Sequence, residues 1–324
     1  MENSKPIIIL AAVISLLLIF GDSFAQPPDH TENLKKTKQK VRTVTIPISI
    51  FSKQELREKT TEEFLEAGNI IVREDGDEQT ILSIRSVSET PLALAILIQD
   101  DLSSTVNLEL KSLSDFIKRL PRGSRVLVAY LRGGTIQVRQ KFTEDLEKAA
   151  ESLRILSSSS TAAPYNPYQA VEEALERFDA IPLGRRAVLL ISDGLDASNG
   201  LANSSPSQSI DLDQAISKAQ RKSVAIYSFY ASGSLTERAN SVIILNAQSS
   251  LNKLSEETGG RAFFSGSGTP VSFAPFFREV SLSLNRQFVL SYLSTHMKKG
   301  YHRVEVTSTN PDIKIEHPKG YYYR

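Results

Sequence analysis

The sequence contains no cysteine, no tryptophan and only four histidines among its 324 residues. Without cysteine it has no disulfide framework, no thiol nucleophile and no Cys-ligated zinc. Lys and Arg number 38 against 37 Asp and Glu, so no net charge draws the protein onto nucleic acid or an anionic membrane. We therefore expect any partner to be recognised by a local site.

The first 25 residues have the pattern of a secretory signal peptide. Lys5 supplies a positive charge, residues 7–20 (IIILAAVISLLLIF) are largely apolar, and Ser23-Phe24-Ala25 is a small-x-small cleavage site. The apolar stretch is shorter than the roughly 20 residues that span a bilayer. We expect cleavage after Ala25 and a secreted or periplasmic protein, with an uncleaved anchor as the alternative. An exported chain of this size without cysteine is typical of bacteria.

The rest of the chain divides into four segments. A polar leader at residues 26–42, predicted to be disordered, precedes a β-rich flank at 43–90, an α/β domain at 91–286 and a second β-rich flank at 287–324. The first flank contains the strand-like TVTIPISIF, a short acidic helix or turn (TTEEFLEAGN) and a hairpin around Asp75-Gly76. Because neither flank has enough strands to bury a core alone, we expect the two to pair into one β unit.

Strands and helices alternate through the middle segment. LALAILIQ and RRAVLLIS are continuous apolar runs, typical of central parallel strands that helices cover on both faces. After the first of them, an apolar stripe predicts a helix that begins near Val106 and ends at Pro121. We therefore predict an α/β fold with a doubly wound, mostly parallel sheet flanked by helices.

Acidic and hydroxyl side chains follow two of these strands. Asp100-Asp101 and the run Ser103 to Thr105 come after LALAILIQ, and Asp193-Gly194 comes after AVLLIS. A serine-rich loop that contains Thr161 precedes another helix. Ligands bind beyond the carboxyl ends of the strands in an open parallel sheet. The three segments can therefore converge on one site.

This α/β segment resembles a von Willebrand factor A (VWA) domain. The flanking EDG at Glu74–Gly76, TGGRAF at Thr258–Phe263 and the terminal HPKGYYYR are similar to bacterial VWA-related proteins in which β segments bracket the domain. In that family Asp-x-Ser-x-Ser, a loop threonine and an aspartate in (Ser/Thr)-Asp-Gly form a metal-ion-dependent adhesion site, and the partner adds a carboxylate. Oxygen ligands of this kind suit a hard cation.

The resemblance implies a metal site that holds Mg²⁺, with Mn²⁺ or Ca²⁺ as alternatives. Its ligands would be Asp101, Ser103, Thr105, Thr161 and Asp193. Residues 101–105 read Asp-x-Ser-x-Thr, in which threonine offers the same hydroxyl as serine.

Other registers of this motif remain open. The family's aspartate directly follows the last apolar residue of the strand, a place that Gln99 takes here, which gives Gln99-x-Asp101-x-Ser103. Read from Asp100, the motif has Leu102 where the central serine belongs. A degenerate site without metal is the further alternative, with the hydroxyls at 103–105 capping the next helix.

An enzymatic function has little support in the sequence. The histidines lie at 30, 296, 302 and 317, all outside the α/β segment, so a Ser-His-Asp set needs help from a flank, and no phosphate-binding glycine motif occurs. We expect an exported, non-catalytic protein that recognises a protein or peptide at the loop face, with a divalent cation bridging to an acidic side chain of the partner. The alternative is a structural or assembly module of the cell envelope with a metal-free site.

Overall fold

The computed structural model describes residues 40–52, 70–86, 90–159, 166–266 and 268–323. These residues form two β-sheets, with helices packed against one of them. The expected signal peptide, nearly all of the leader, the acidic segment TTEEFLEAGN and Thr161 lie outside these residues. The strands are β1 (Arg42–Ser52), β2 (Ile70–Glu74), β3 (Asp77–Arg85), β4 (Leu92–Gln99), β5 (Arg125–Arg132), β6 (Thr135–Thr143), β7 (Arg185–Ser192), β8 (Val224–Tyr230), β9 (Ala262–Phe263), β10 (Gln287–Ser294), β11 (Gly300–Ser308), β12 (Ile313–Glu316) and β13 (Gly320–Tyr323). The α-helices are α1 (Leu110–Lys118), α2 (Leu146–Glu151), α3 (Pro167–Glu176), α4 (Ile210–Arg221), α5 (Ser241–Thr258) and α6 (Ala274–Asn285).

The middle of the chain forms a six-stranded sheet with the order β6-β5-β4-β7-β8-β9. Adjacent strands in this sheet run parallel, except for the antiparallel pair β5 and β6, which form a hairpin. If these six strands are renumbered 1 to 6 in chain order, the order across the sheet is 3-2-1-4-5-6, which is the order of a doubly wound α/β fold. The predicted α/β fold is confirmed, and a topological switch point lies between β4 and β7.

Helices cover both faces of this sheet. Every residue of β4 and β7 is buried, which explains their continuous apolar runs. Alternate β4 side chains enter two cores. Leu94 and Ile96 pack with residues of α1 and α6, whereas Ala95 and Leu97 pack with residues of α3, α4 and α5. The two cores hold both strands rigidly, so the loops that leave their carboxyl ends have fixed starting points.

The N- and C-terminal strands share an antiparallel sheet with the order β12-β1-β10-β3-β2-β11-β13. β1 pairs with β10 and β12, and β2 pairs with β11. The β2–β3 hairpin turns at Asp75-Gly76, with Glu74 opposite Asp77. From Lys40 onward the chain forms one compact unit, so the predicted domain boundaries near 90 and 287 stay a proposal.

The segment after β4 differs from the expected helix. Ser104–Glu109 is a 3₁₀ segment, and the α-helix begins only at Leu110. Ser103 makes no side-chain capping hydrogen bond there. The run of Ser, Thr, Val and Asn residues has low helix propensity, because these side chains are β-branched or compete for backbone hydrogen bonds. Among the described residues, no helix has the length and apolar character needed to span a membrane.

Candidate functional site at the sheet edge

The carboxyl ends of β4 and β7 lie side by side. The two strands pair in parallel with Ile98 opposite Ile191, so the residues that follow them leave the sheet at neighbouring points. The side chains of Gln99, Asp100, Asp101, Ser192 and Asp193 are all at most 2% exposed. The structure therefore brings two of the predicted ligands, Asp101 and Asp193, into one buried polar cluster.

Gln99 links the two halves of this cluster. Its Oε1 accepts hydrogen bonds from the Ser192 hydroxyl (2.6 Å) and from the Asp193 backbone N–H (3.2 Å). Its Nε2 donates to Asp101 Oδ1 at 2.8 Å. A backbone N–H can only donate, so the amide oxygen must face Asp193. The amide NH₂ is thereby directed at the Asp101 carboxylate.

A segment that follows β8 completes the environment of Asp101. The backbone N–H of Ser234 donates to Asp101 Oδ2 at 3.0 Å, and the Ser234 hydroxyl donates to the same oxygen. Leu102 forms a β-bridge with Gly233, and the Ser103 N–H donates to the Ser232 carbonyl at 2.8 Å. Both oxygens of Asp101 accept hydrogen bonds, and its loop is tied to the next one along the sheet edge.

Asp193 is held by its own loop and by the same segment after β8. The Leu195 N–H donates to Oδ1 at 3.1 Å, and the Thr236 hydroxyl donates to Oδ2 at 3.3 Å. Burial away from water, and then the charge of Asp101, raise the pKa of Asp193 from 3.8 to about 7. A Cβ on Gly233 would lie 2.5 Å from Asp193 Oδ2 and 2.9 Å from Gln99 Nε2. Only glycine lets the backbone approach the cluster this closely.

The predicted hydroxyl ligands lie further out. The Thr105 hydroxyl donates to Ser103 Oγ at 3.1 Å, and Thr105 is exposed. Ser103 lines an open cleft of about 370 Å³ together with Asp101, Ser104, Ser158, Ser234, Glu237 and Arg238. Thr161 lies outside the described residues, so its role stays a prediction.

Asp100 belongs to a different set of contacts. Its side chain is fully buried, and Arg154 Nη1 donates to Oδ1 at 2.8 Å, with Arg132 Nη1 3.6 Å from Oδ2. The Arg154 guanidinium lies over the Tyr130 ring at 4.1 Å, a cation–π contact. The Tyr130 hydroxyl accepts from the Arg154 N–H at 2.8 Å. This pairing makes Asp100 a structural residue that fixes the loop after α2, and it argues against the register that begins at Asp100.

The donors around the two carboxylates do not fit a hard divalent cation. Such an ion needs oxygen lone pairs directed at it, whereas here backbone N–H groups and the Gln99 amide, which can only donate, direct hydrogens at the carboxylates. In the register that begins at Gln99, this amide takes the place of the aspartate that the resemblance implies. The hydrogen bonds therefore compensate part of the negative charge that an ion would otherwise neutralise.

Comparisons with known proteins give a likeness of structure alone. No model of a known protein family matches the sequence, and neither does any curated protein. One similar solved structure is a von Willebrand factor type A protein from Catenulispora acidiphila, which is 13% identical in sequence. The match covers 86% of this chain and 72% of that chain, with a TM-score of 0.44. BatB from Bacteroides thetaiotaomicron matches at 13% identity over 60% of this chain and 97% of its own, with a TM-score of 0.42.

The VWA domain of SpRpn10 is a third similar structure, at 11% sequence identity. The match covers 56% of this chain and 87% of that domain, with a TM-score of 0.34. The chain is thus similar to VWA proteins, as its sequence motifs indicate.

Sequence reasoning missed the segment after β8. Ser234 and Thr236 follow VAIYSFYA in the stretch ASGSLTER, which places hydroxyls beyond a third parallel strand. That position was the available signal, because all carboxyl ends of a parallel sheet meet at one edge.

Proposed function

We propose that this chain is an exported, non-catalytic VWA-like protein that binds a protein or peptide partner through the loops at the carboxyl edge of its six-stranded sheet. We further propose that this edge works without a bridging cation. The observation that carries the proposal is the Gln99 amide, which joins Asp193 and Asp101 by hydrogen bonds of 3.2 and 2.8 Å. Loops that are already locked in this way need no ion to order them before binding, and preorganised loops bind with a smaller entropy loss.

The surface beside the cleft suits recognition of a protein. Leu108 in the 3₁₀ segment and Ile155 in the loop after α2 are 79% and 73% exposed. The Leu156 N–H donates to Asn107 Oδ1 at 2.8 Å, which holds these two segments together. Exposed apolar side chains beside a charged rim are characteristic of protein interfaces. Glu237 and Arg238 supply that rim.

Catalysis is not part of the proposal, because the sequence offers no Ser-His-Asp set at this edge. Within the described residues His296, His302 and His317 lie after β10, in β11 and after β12, away from the segment that forms the edge. Export is proposed from the signal-like pattern at residues 1–25 alone.

A metal-bridged interface is the second candidate function. It is favoured by the burial of Asp101 and Asp193 in one cluster and by the pKa of Asp193, which is raised to about 7. An ion would relieve this excess of negative charge. Mg²⁺, Mn²⁺ or Ca²⁺ would then be shared with a carboxylate of the partner.

Site-specific photocrosslinking in the native host tests the proposed face. A photoreactive residue replaces Ser104 on the cleft in the full chain, and the matched control replaces Leu183, which is 65% exposed. Leu183 precedes β7 and therefore lies at the opposite, amino edge of the parallel strands. We expect a discrete crosslinked partner from position 104 that is absent from position 183.

Repeating the crosslinking with EDTA separates the two candidates. An unchanged yield at position 104 supports the cation-free interface, and loss of the product supports the bridged one. Equal products from both positions, or none from position 104, would contradict the docking face itself.

A further inference from the structure

A second polar cluster lies in the antiparallel sheet, at the turn between β2 and β3. The carboxylates of Glu74 and Asp75 meet the imidazole of His302 from β11. His302 Nδ1 is 2.8 Å from Asp75 Oδ2 and 3.3 Å from Glu74 Oε1. One ligand atom from each residue lies within 4.8 Å of the others. The cluster is separate from the loop edge described above.

The orientation of His302 directs a nitrogen lone pair or a proton at these carboxylates. His302 Nε2 is 2.6 Å from the Lys298 carbonyl oxygen, which only accepts, so Nε2 carries a hydrogen. Nδ1 then faces two carboxylate oxygens, at hydrogen-bond distance from Asp75 Oδ2, and either a hydrogen or a metal ion can lie between them. Three electron-rich atoms this close require a positive charge between them. A backbone carbonyl on the far ring nitrogen is also how proteins orient histidines that bind metals.

Glu74 adds a second carboxylate to the cluster. Its side chain is fully buried, and its Oε1 lies 3.3 Å from His302 Nδ1. Oε1 also accepts hydrogen bonds from the hydroxyls of Tyr321 (2.6 Å) and Ser294 (2.9 Å), and the buried Tyr292 hydroxyl is a further hydrogen-bonding neighbour of this carboxylate. A buried carboxylate is normally satisfied by hydrogen bonds or by a metal. The hydroxyls fix Glu74 in place beside His302.

Charges around the cluster favour a divalent ion. Besides Glu74 and Asp75, Asp77 approaches the second histidine, with Asp77 Oδ2 3.3 Å from His296 Nε2. Arg42 supplies a positive charge, with Nη2 3.6 Å from Glu74 Oε1. The three carboxylates and the one guanidinium carry a net charge of two negative units, and a divalent cation would balance it.

We propose that Glu74, Asp75 and His302 bind a divalent transition metal such as Zn²⁺. Zinc lies about 2.0–2.2 Å from nitrogen and carboxylate ligands, so its ligand atoms are separated by roughly 3–3.5 Å. The separations from Nδ1 are 2.8 and 3.3 Å, so an ion would replace the hydrogen between His302 and Asp75 and move these two side chains slightly apart. A site with one imidazole and two carboxylates suits Zn²⁺ or Mn²⁺ better than Mg²⁺, which prefers oxygen ligands and retained water.

A second histidine, His296, lies beside these three residues but outside the group whose ligand atoms are all within 4.8 Å of one another. Its Nδ1 is 3.9 Å from Asp75 Oδ2, and its ring centroid lies 6.0 Å from that of His302. His296 follows β10 in a loop, whereas the three proposed ligands lie on β2, on β11 and in the turn after β2. An ion bound by them would strengthen the contact between β2 and β11.

Zinc titration of the chelator-treated full chain tests the site, with isothermal calorimetry for affinity and thermal unfolding for stability. We expect one ion per chain and a rise in Tm, because a ligand that binds only the folded state stabilises it. Asp75→Asn and His302→Gln should each weaken binding at least tenfold. His317→Gln is the matched control, since glutamine can replace His317 Nε2 as the acceptor for the Val306 N–H.

Asp75→Asn keeps the test valid if His302→Gln fails to fold. Asp75 has φ +51°, a conformation that asparagine tolerates, and asparagine keeps an acceptor for the Arg303 N–H, which now donates to Asp75 Oδ1 at 2.9 Å. Equal zinc affinity in the parent and both ligand variants would overturn the proposal. An unchanged Tm in zinc would overturn it as well.

Discussion

Replacing Asp193 with asparagine should stabilise the protein at alkaline pH. Asparagine has the shape of aspartate and keeps an oxygen for the Leu195 N–H. Its NH₂ can donate to Thr236 Oγ1, because the Thr236 hydroxyl has a second acceptor in the Gly233 carbonyl at 3.3 Å. The substitution therefore removes a buried charge and leaves the hydrogen bonds intact.

The size of the effect follows from the pKa of Asp193, which rises from 3.8 to about 7 on folding. The folded state therefore holds a proton that the unfolded state releases between about pH 4 and 7. The stability that this proton provides is complete below pH 4 and is lost as the pH rises through 7. At about 1.4 kcal/mol per pKa unit, ionised Asp193 costs at most ~4 kcal/mol at pH 8. We expect asparagine to recover about 2 kcal/mol of this.

Urea unfolding of the parent protein and Asp193→Asn between pH 5 and 8, in EDTA, measures the difference. The parent should lose stability across this range more steeply than the variant, and the two free energies should separate most at pH 8. A variant that is less stable than the parent at pH 8, or a parallel pH dependence, would refute the reasoning.

Two further substitutions probe the packing of the edge. Gly233→Ala should destabilise the protein by about 1–3 kcal/mol, because the alanine Cβ would lie within 3 Å of the Asp193 and Gln99 side chains. Urea unfolding measures this loss, and an unchanged urea midpoint would contradict the contact. Arg154→Met should destabilise it by about 2–4 kcal/mol by leaving Asp100 buried without its closest partner. Adding Asp100→Asn should restore part of the loss, and additive effects in that double variant would rule out the pairing.

The fold was predictable because its signals are local and strong. The runs at Leu92–Gln99 and Arg185–Ser192 are apolar throughout since both faces of each strand are covered, and turn glycines and alternating helices mark the rest. The 3₁₀ segment at Ser104–Glu109 was not predictable from the apolar stripe. The stripe indicates only which residues are buried, whereas the low helix propensity of residues 103–107 decides that the α-helix begins later.

The candidate site was predictable only in part. The position of Asp101 and Asp193 after parallel strands is enough to place them together. The role of Gln99 depends on the direction of one amide, which is set by the Asp193 N–H across the sheet. The contribution of Ser234 depends on a loop 133 residues away in the chain. Contacts of this kind leave no periodic trace in a sequence.

Magnesium binding by the parent protein and by Gln99→Asp is the most direct test of the claim that the Gln99 amide takes the place of a cation. Both proteins should also carry Asp75→Asn, so that the second cluster contributes no heat to the calorimetric titration. We expect no saturable Mg²⁺ binding by the parent. Gln99→Asp, which puts a third carboxylate beside Asp101 and Asp193, should bind Mg²⁺ and gain thermal stability from it. Saturable binding by the parent that Asp193→Asn abolishes would contradict the account.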